Sequence, residues 1–151
     1  MEIGDTLPGA TLTDANGARF ALADRIGQPL VLYFYPKADT SGCTREAQDF
    51  STLSAEFGAR GAVVIGVSRD TPAKLARFAA KHALTVELAS DEDGSVCEAF
   101  GVWVEKQMYG RSYMGIERAT FLFDADGKLI REWRRVKVPG HAADVLEALA
   151  A

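Results

Sequence analysis

The chain has 151 residues, 48% of them apolar and 25% charged, with a formal net charge of −4. That length suits one domain with a real core, expected over 1–151. The acidic balance without a basic block argues against nucleic acid as a partner, and no apolar run is long enough to cross a bilayer.

In chain order, ATLTDANGARFAL carries Asn16-Gly17 between two alternating runs, a hairpin signal. PLVLYFY (29–35) is a continuous apolar, β-rich run and predicts a buried central strand ended by Pro36. From Cys43 the apolar positions Ala47, Phe50, Leu53 and Phe57 follow at intervals of three and four, one face of a helix. AVVIGVS (62–68) predicts a second buried strand. A helix over 71–83 is capped by Thr71 with Pro72 in its first turn, and turns Leu75, Phe78, Ala79 and His82 inward. A third strand is expected over 85–90 and a short helix over 94–100. ATFLFD and LIREWRRV flank a turn at 125–128 and predict a second hairpin. REWRRVK (131–137) reads as a strand with one charged face, and HAADVLEALA as a closing helix. The order is hairpin, βαβαβα, hairpin, helix. It implies an α/β fold of thioredoxin-like type, a mixed sheet flanked by helices with an N-terminal hairpin.

Cys43 stands where strand gives way to helix. A lone cysteine there can be an inert small hydrophobe or a nucleophile. A free thiol, with a pKa of about 8.5, is mostly protonated at neutral pH. A helix start stabilises the thiolate. With Thr40 as N-cap, Cys43 falls at about the third helical position, among unpaired N–H groups at the positive end of the dipole. Arg45 is a cation close in sequence, and Arg118 is one that folding could bring close. Pro36 lacks an N–H and fixes the loop, and Gly42 permits close backbone approach.

PKADTSGC (36–43) resembles the Pro-x-x-x-Thr-x-x-Cys signature of the peroxiredoxins. FYPKADTSGCTREAQDF, VIGVSRD, LASDEDGSVCEAFGVW and MYGRSYMGIERATFLFDADGKL resemble, in order, the bacterioferritin-comigratory or peroxiredoxin Q branch. The resemblance covers nearly the whole chain. It implies a thioredoxin-like thiol peroxidase, an antioxidant oxidoreductase of cell redox homeostasis, acting on hydrogen peroxide and organic hydroperoxides. It makes Cys43 the peroxidatic cysteine, places Pro36, Thr40 and Arg118 on the other active-site positions, and gives Glu46 the task of orienting the arginine. It implies no cofactor, a thioredoxin-like or small-thiol reductant, and a monomer. Arg118 could instead make a surface ion pair with Glu117 or Glu46.

The chain departs from the branch in its second cysteine. Many members carry a resolving cysteine five residues after the first; here that position is Gln48, and the helix over 71–83 has none. The remaining thiol, Cys97, is expected in the core, so resolution falls to an external thiol. The rival expectation is an atypical resolving role for Cys97 after local unfolding. Cys43, Cys97, His82 and His141 lack the close pairs of a metal site, and no metal is expected. SDEDG (90–94) reads as a polar turn and His141 as a neighbour of a helix cap. The start, MEIGDTLPGA, lacks the marks of a secretory signal, and the expected location is the cytoplasm with both thiols reduced. Three other functions fit less well. A disulfide oxidoreductase needs a second thiol at position 46, and a copper carrier needs one at 47, which is alanine. A noncatalytic binding module has no use for Thr40, Cys43 and Arg118 together.

Overall fold

The structure, a computed structural model, describes residues 1–149. The N-terminal hairpin joins β1 (Thr11–Asp14) to β2 (Arg19–Ala21), with Gly17 supplying the positive φ of 87° that the turn needs. The apolar run at 29–35 becomes β3 (Leu30–Phe34), followed by α1 (Ser41–Thr52), α2 (Ser54–Ala59) and β4 (Val63–Ser68). Next come α3 (Pro72–Lys81), β5 (Glu87–Ser90) and α4 (Ser95–Ala99). A hairpin of β6 (Trp103–Met108) and β7 (Arg111–Ile116) precedes β8 (Ala119–Phe123), β9 (Leu129–Trp133) and α5 (His141–Ala148). Seven strands form one sheet in the order β2-β1-β5-β4-β3-β8-β9, while β6 and β7 pair apart from it. β3, β4 and β5 run parallel and the other neighbours antiparallel, so the sheet is mixed as expected.

Every residue of β3 is buried. A strand with no exposed face must be covered on both sides, and its alternating side chains enter two separate cores. Leu30, Leu32 and Phe34 meet Val96, Cys97 and Phe100 around α4 on one face. Val31, Tyr33 and Tyr35 meet Cys43, Phe50, Phe57, Phe78 and Val145 on the other, beneath α1, α2, α3 and α5. Phe50 stacks on Tyr33 at 4.5 Å between ring centres, and Tyr33 in turn lies against Gly66, where a Cβ would come within 2.4 Å of the ring. This contact seats α1 on the sheet and thereby fixes where its first turn, with Cys43, must lie. Truncating a buried aromatic of this kind costs about 3–5 kcal/mol.

Four details differ from the sequence reading. The helical face from Cys43 to Phe57 is split at Leu53 into α1 and α2, where the Ser54 hydroxyl donates to Ser51 O at 2.7 Å. The strand expected at 85 begins at Glu87. β9 ends at Trp133, and Arg135 turns the chain with a φ of 48°, so 134–137 is not strand. The β6–β7 hairpin had no counterpart in the sequence reading. It is largely exposed, so no buried face writes a clear alternation into it.

Candidate active site

The loop from Pro36 to Thr40 leaves the end of β3 and enters α1. Thr40 is the N-cap by position, with φ −96° and ψ 157°, and Cys43 is the third helical residue. The first intrahelical bond runs from Thr44 N to Thr40 O at 2.8 Å, which leaves the N–H groups of residues 41–43 at the positive helix start. The Thr40 hydroxyl does not cap. It donates to Lys37 O at 2.8 Å, so its proton is engaged and its oxygen remains an acceptor. The Ala38 N–H donates to Asp70 Oδ2 at 2.8 Å and pins the loop to the start of α3.

Arg118 lies between β7 and β8, 75 positions from Cys43. Its Nη2 donates to Cys43 Sγ at 3.3 Å and its Nη1 to Glu46 Oε1 at 2.6 Å. Glu46 follows Cys43 by three residues, so both face the guanidinium from one side of α1. The ion pair is not a surface pair: the Glu46 side chain is 1% exposed and that of Arg118 17%. Burial pushes the Glu46 carboxyl up to about 7, against the pull of Arg118. Burial opposes the Arg118 charge, but Glu46 and Cys43 outweigh it and raise its pKa. Glu117 is taken by Arg134 at 2.6 Å. Arg45 pairs with Asp49 at 3.0 Å on the exposed side of the helix and offers nothing to the thiol. Gly42 gives the guanidinium room beside the helix start, since a Cβ there would lie 3.2 Å from Arg118 Nη2.

Pro36 and Thr40 form one wall of an open cleft of about 660 Å³. The β6–β7 hairpin also lines it, through Trp103, Lys106, Met108, Tyr113 and Met114. The sequence reading missed these residues together with the hairpin. Gly110 was the one turn signal available in the sequence; in the structure Tyr109 and Gly110 both have positive φ, 52° and 76°, as a two-residue turn that closes a hairpin requires.

Residues 3–132 match the AhpC/TSA family. The chain belongs to the AhpC/TSA family. It is a peroxiredoxin, a thiol peroxidase with the thioredoxin-like fold. Peroxiredoxin Bcp of Bacillus subtilis is 46% identical over 99% of this chain and 95% of its own length. Peroxiredoxin Bcp of Escherichia coli K12 is 44% identical over 99% of this chain and 96% of its own. Among solved structures, a cysteine-to-serine variant of Xylella fastidiosa PrxQ superposes with a TM-score of 0.94 at 43% identity, covering 99% of this chain and 95% of that one. The bacterioferritin comigratory protein of Xanthomonas campestris, described for its alkyl peroxide reduction activity, gives 0.89 at 43% identity, covering 96% and 97%.

This peroxiredoxin keeps its second thiol away from the first. Cys97 is fully buried in the core on the α4 face, while Cys43 belongs to the core on the other, so the sheet lies between them. Burial, and then the neighbouring Asp91, push the Cys97 thiol well up. Asp91 was read as part of a polar turn. The turn is there, with Gly94 N bonded to Asp91 O, but the carboxylate is buried and accepts from Val96 N at 3.1 Å and Cys97 N at 2.7 Å. It caps α4 from inside. His141 is not merely a cap neighbour: its ring is buried, bonds Thr120 Oγ1 at 2.7 Å, and is pushed down to about 4 by burial. His82 ends α3 and reaches Asp39 at 2.8 Å. Among the described residues no three His, Cys, Asp or Glu side chains gather as metal ligands.

Proposed function

We propose that Cys43 is the peroxidatic nucleophile, that it reduces hydrogen peroxide and organic hydroperoxides, and that an external thiol restores it. The observation that carries this reading is the 3.3 Å contact of Arg118 Nη2 with Cys43 Sγ at the start of α1. The Cys43 thiolate attacks one peroxide oxygen. An S–O bond forms from a sulfur lone pair, the O–O bond breaks, and its electrons leave on the second oxygen, which takes a proton and departs as alcohol or water. Charge moves from sulfur to the leaving oxygen, and fixed donors along that path stabilise the transition state more than the ground state. Arg118 and the Cys43 N–H are such donors. Thr40, its own proton held by Lys37 O, accepts the peroxide O–H and orients the attack. Glu46 holds the guanidinium in place, and Pro36 shapes the wall beside Thr40.

The product is a Cys43 sulfenic acid. One external thiol condenses with it, releasing water and leaving a mixed disulfide. A second thiol displaces the Cys43 thiolate. Cys97 does not resolve it: a disulfide needs Cα atoms within ~7 Å, and the sheet separates the two cores. A thioredoxin-like protein or a small thiol fits the role, in a reducing compartment such as the cytoplasm. The cleft's apolar wall of Trp103, Met108, Tyr113 and Met114 suits the organic part of a hydroperoxide. All the proposed site residues come from one chain, so a monomer suffices. The test is Cys43→Ser supplied with peroxide and reductant. Turnover is lost while the melting curve is kept; turnover near the parent level removes Cys43 from the chemistry.

A further inference from the structure

Asp39 has a left-handed backbone, with φ 64°, a conformation that few residues other than Gly, Asn and Asp adopt, and its carboxylate is tied from outside the loop. Here Lys81 Nζ reaches Asp39 Oδ2 at 2.8 Å and His82 Nε2 reaches Oδ1 at 2.8 Å, both from the far end of α3. Asp39 immediately precedes Thr40, the N-cap of the helix that carries Cys43. The loop is therefore held at two points by one helix: by Asp70 at the start of α3 and by the Lys81–His82 pair at its end. The two ties differ in exposure. The Asp70 side chain is 8% exposed and that of Asp39 is 39%, so only the Asp39 tie can release without disturbing buried groups.

We propose that Asp39, clamped by Lys81 and His82, is a positioning residue, a latch that holds the start of α1 closed over Cys43 and limits how fast an external thiol can reach it. The proposal rests on the reading of Cys43 as the peroxidatic nucleophile. The closed arrangement serves oxidation, because it sets the helix start and Arg118 against the sulfur. Reduction has the opposite requirement. Cys43 is 2% exposed, and a second thiol needs an in-line approach to its sulfur, so the first turn of α1 must open. Reduction then scales with the small open population, whereas oxidation draws on the large closed one. Weakening the latch speeds reduction without speeding oxidation. That asymmetry separates a latch from a residue that only supports the fold.

The test uses Asp39→Asn, which tolerates the left-handed backbone and removes the charge. A Lys81→Met/His82→Ala variant removes the partners instead. Two quantities are read: the rate at which dithiothreitol reduces the preformed sulfenic acid, and hydrogen exchange at Thr44 N–H, the first helical bond of α1. Both variants are expected to raise both rates about two- to fivefold, the range for an exposed ion pair, while Lys81→Arg keeps the parental exchange rate. An unchanged or slower reduction by dithiothreitol, with unchanged exchange at Thr44, overturns the latch. Locating the sulfenic acid by mass spectrometry keeps the two readings distinguishable. Oxygen found on Cys97 overturns the role of Cys43, and exchange at Thr44 then still decides whether Asp39 holds the loop.

Discussion

Replacing Arg118 by methionine deletes the guanidinium and keeps most of the stem. Two contacts go: the 3.3 Å donor to Cys43 Sγ and the 2.6 Å pair with Glu46 Oε1. A hydrogen bond to a charged group contributes about 1.5–3 kcal/mol, so oxidation by peroxide should slow by roughly one to two decades. Stability should respond separately. Glu46 is 1% exposed and its Oε2 already has no partner, so without Arg118 a charged carboxylate there is wholly uncompensated. The variant therefore protonates Glu46 and should melt near the parent temperature at pH 6 but well below it at pH 8. Stopped-flow oxidation with hydrogen peroxide and thermal melts at the two pH values are the assays. An oxidation rate within a factor of two of the parent would refute the placement of Arg118 in the chemistry. A rate loss matched by an equal loss of stability at pH 6 would make its role structural.

Glu46→Gln should change the pH dependence of stability. The parent carboxyl titrates at about 7 in the folded chain against 4.5 when free, so the folded state binds more protons between those values. Its contribution is fully present below pH 4.5 and is lost as pH rises through 7, and between pH 5 and 8 denaturant titration should find a decline of about 2–3 kcal/mol in the parent and not in the variant. Gly42→Ala should slow oxidation severalfold while leaving stability equal or slightly higher, because the added Cβ crowds Arg118 Nη2 at 3.2 Å but suits a helix; faster oxidation would contradict the crowding. Cys97→Ser should keep turnover with an external reductant and lose about 1–3 kcal/mol on chemical denaturation, since a hydroxyl enters a fully buried site. A stall after one turnover would restore Cys97 as the resolving thiol.

The parts of this fold that a sequence can state are those with a buried periodic face. β3 and β4 were legible as unbroken apolar runs, and the capped start of α3 from Thr71 and Pro72, where Thr71 Oγ1 accepts from Lys74 N at 3.2 Å. The β6–β7 hairpin was not, because its exposed side chains answer to the cleft rather than to a core. The place of Cys43 and Thr40 at a helix start was readable, but position alone left Cys43 open between packing and chemistry, and only the family resemblance assigned the two residues a role. The pairing of Cys43 with Arg118 was not readable from spacing, since 75 intervening positions carry no local signal, and only family resemblance pointed to it. Asp39 and Asp70 escaped notice, and Asp91 was read only as part of a polar turn, for a related reason. A loop carboxylate looks alike in sequence whether it faces water, as turn residues usually do, or satisfies buried backbone N–H groups, as Asp91 does.

The most direct test of the whole account is the mass of the intact protein after one equivalent of hydrogen peroxide without reductant, followed by peptide mapping with a sulfenic-acid trap. Attack by Cys43 with no partner thiol on its face of the sheet predicts a gain of one oxygen, trapped on Cys43. A loss of two hydrogens, mapping to a Cys43–Cys97 disulfide, would contradict resolution by an external thiol, and a trap on Cys97 alone would contradict the site itself.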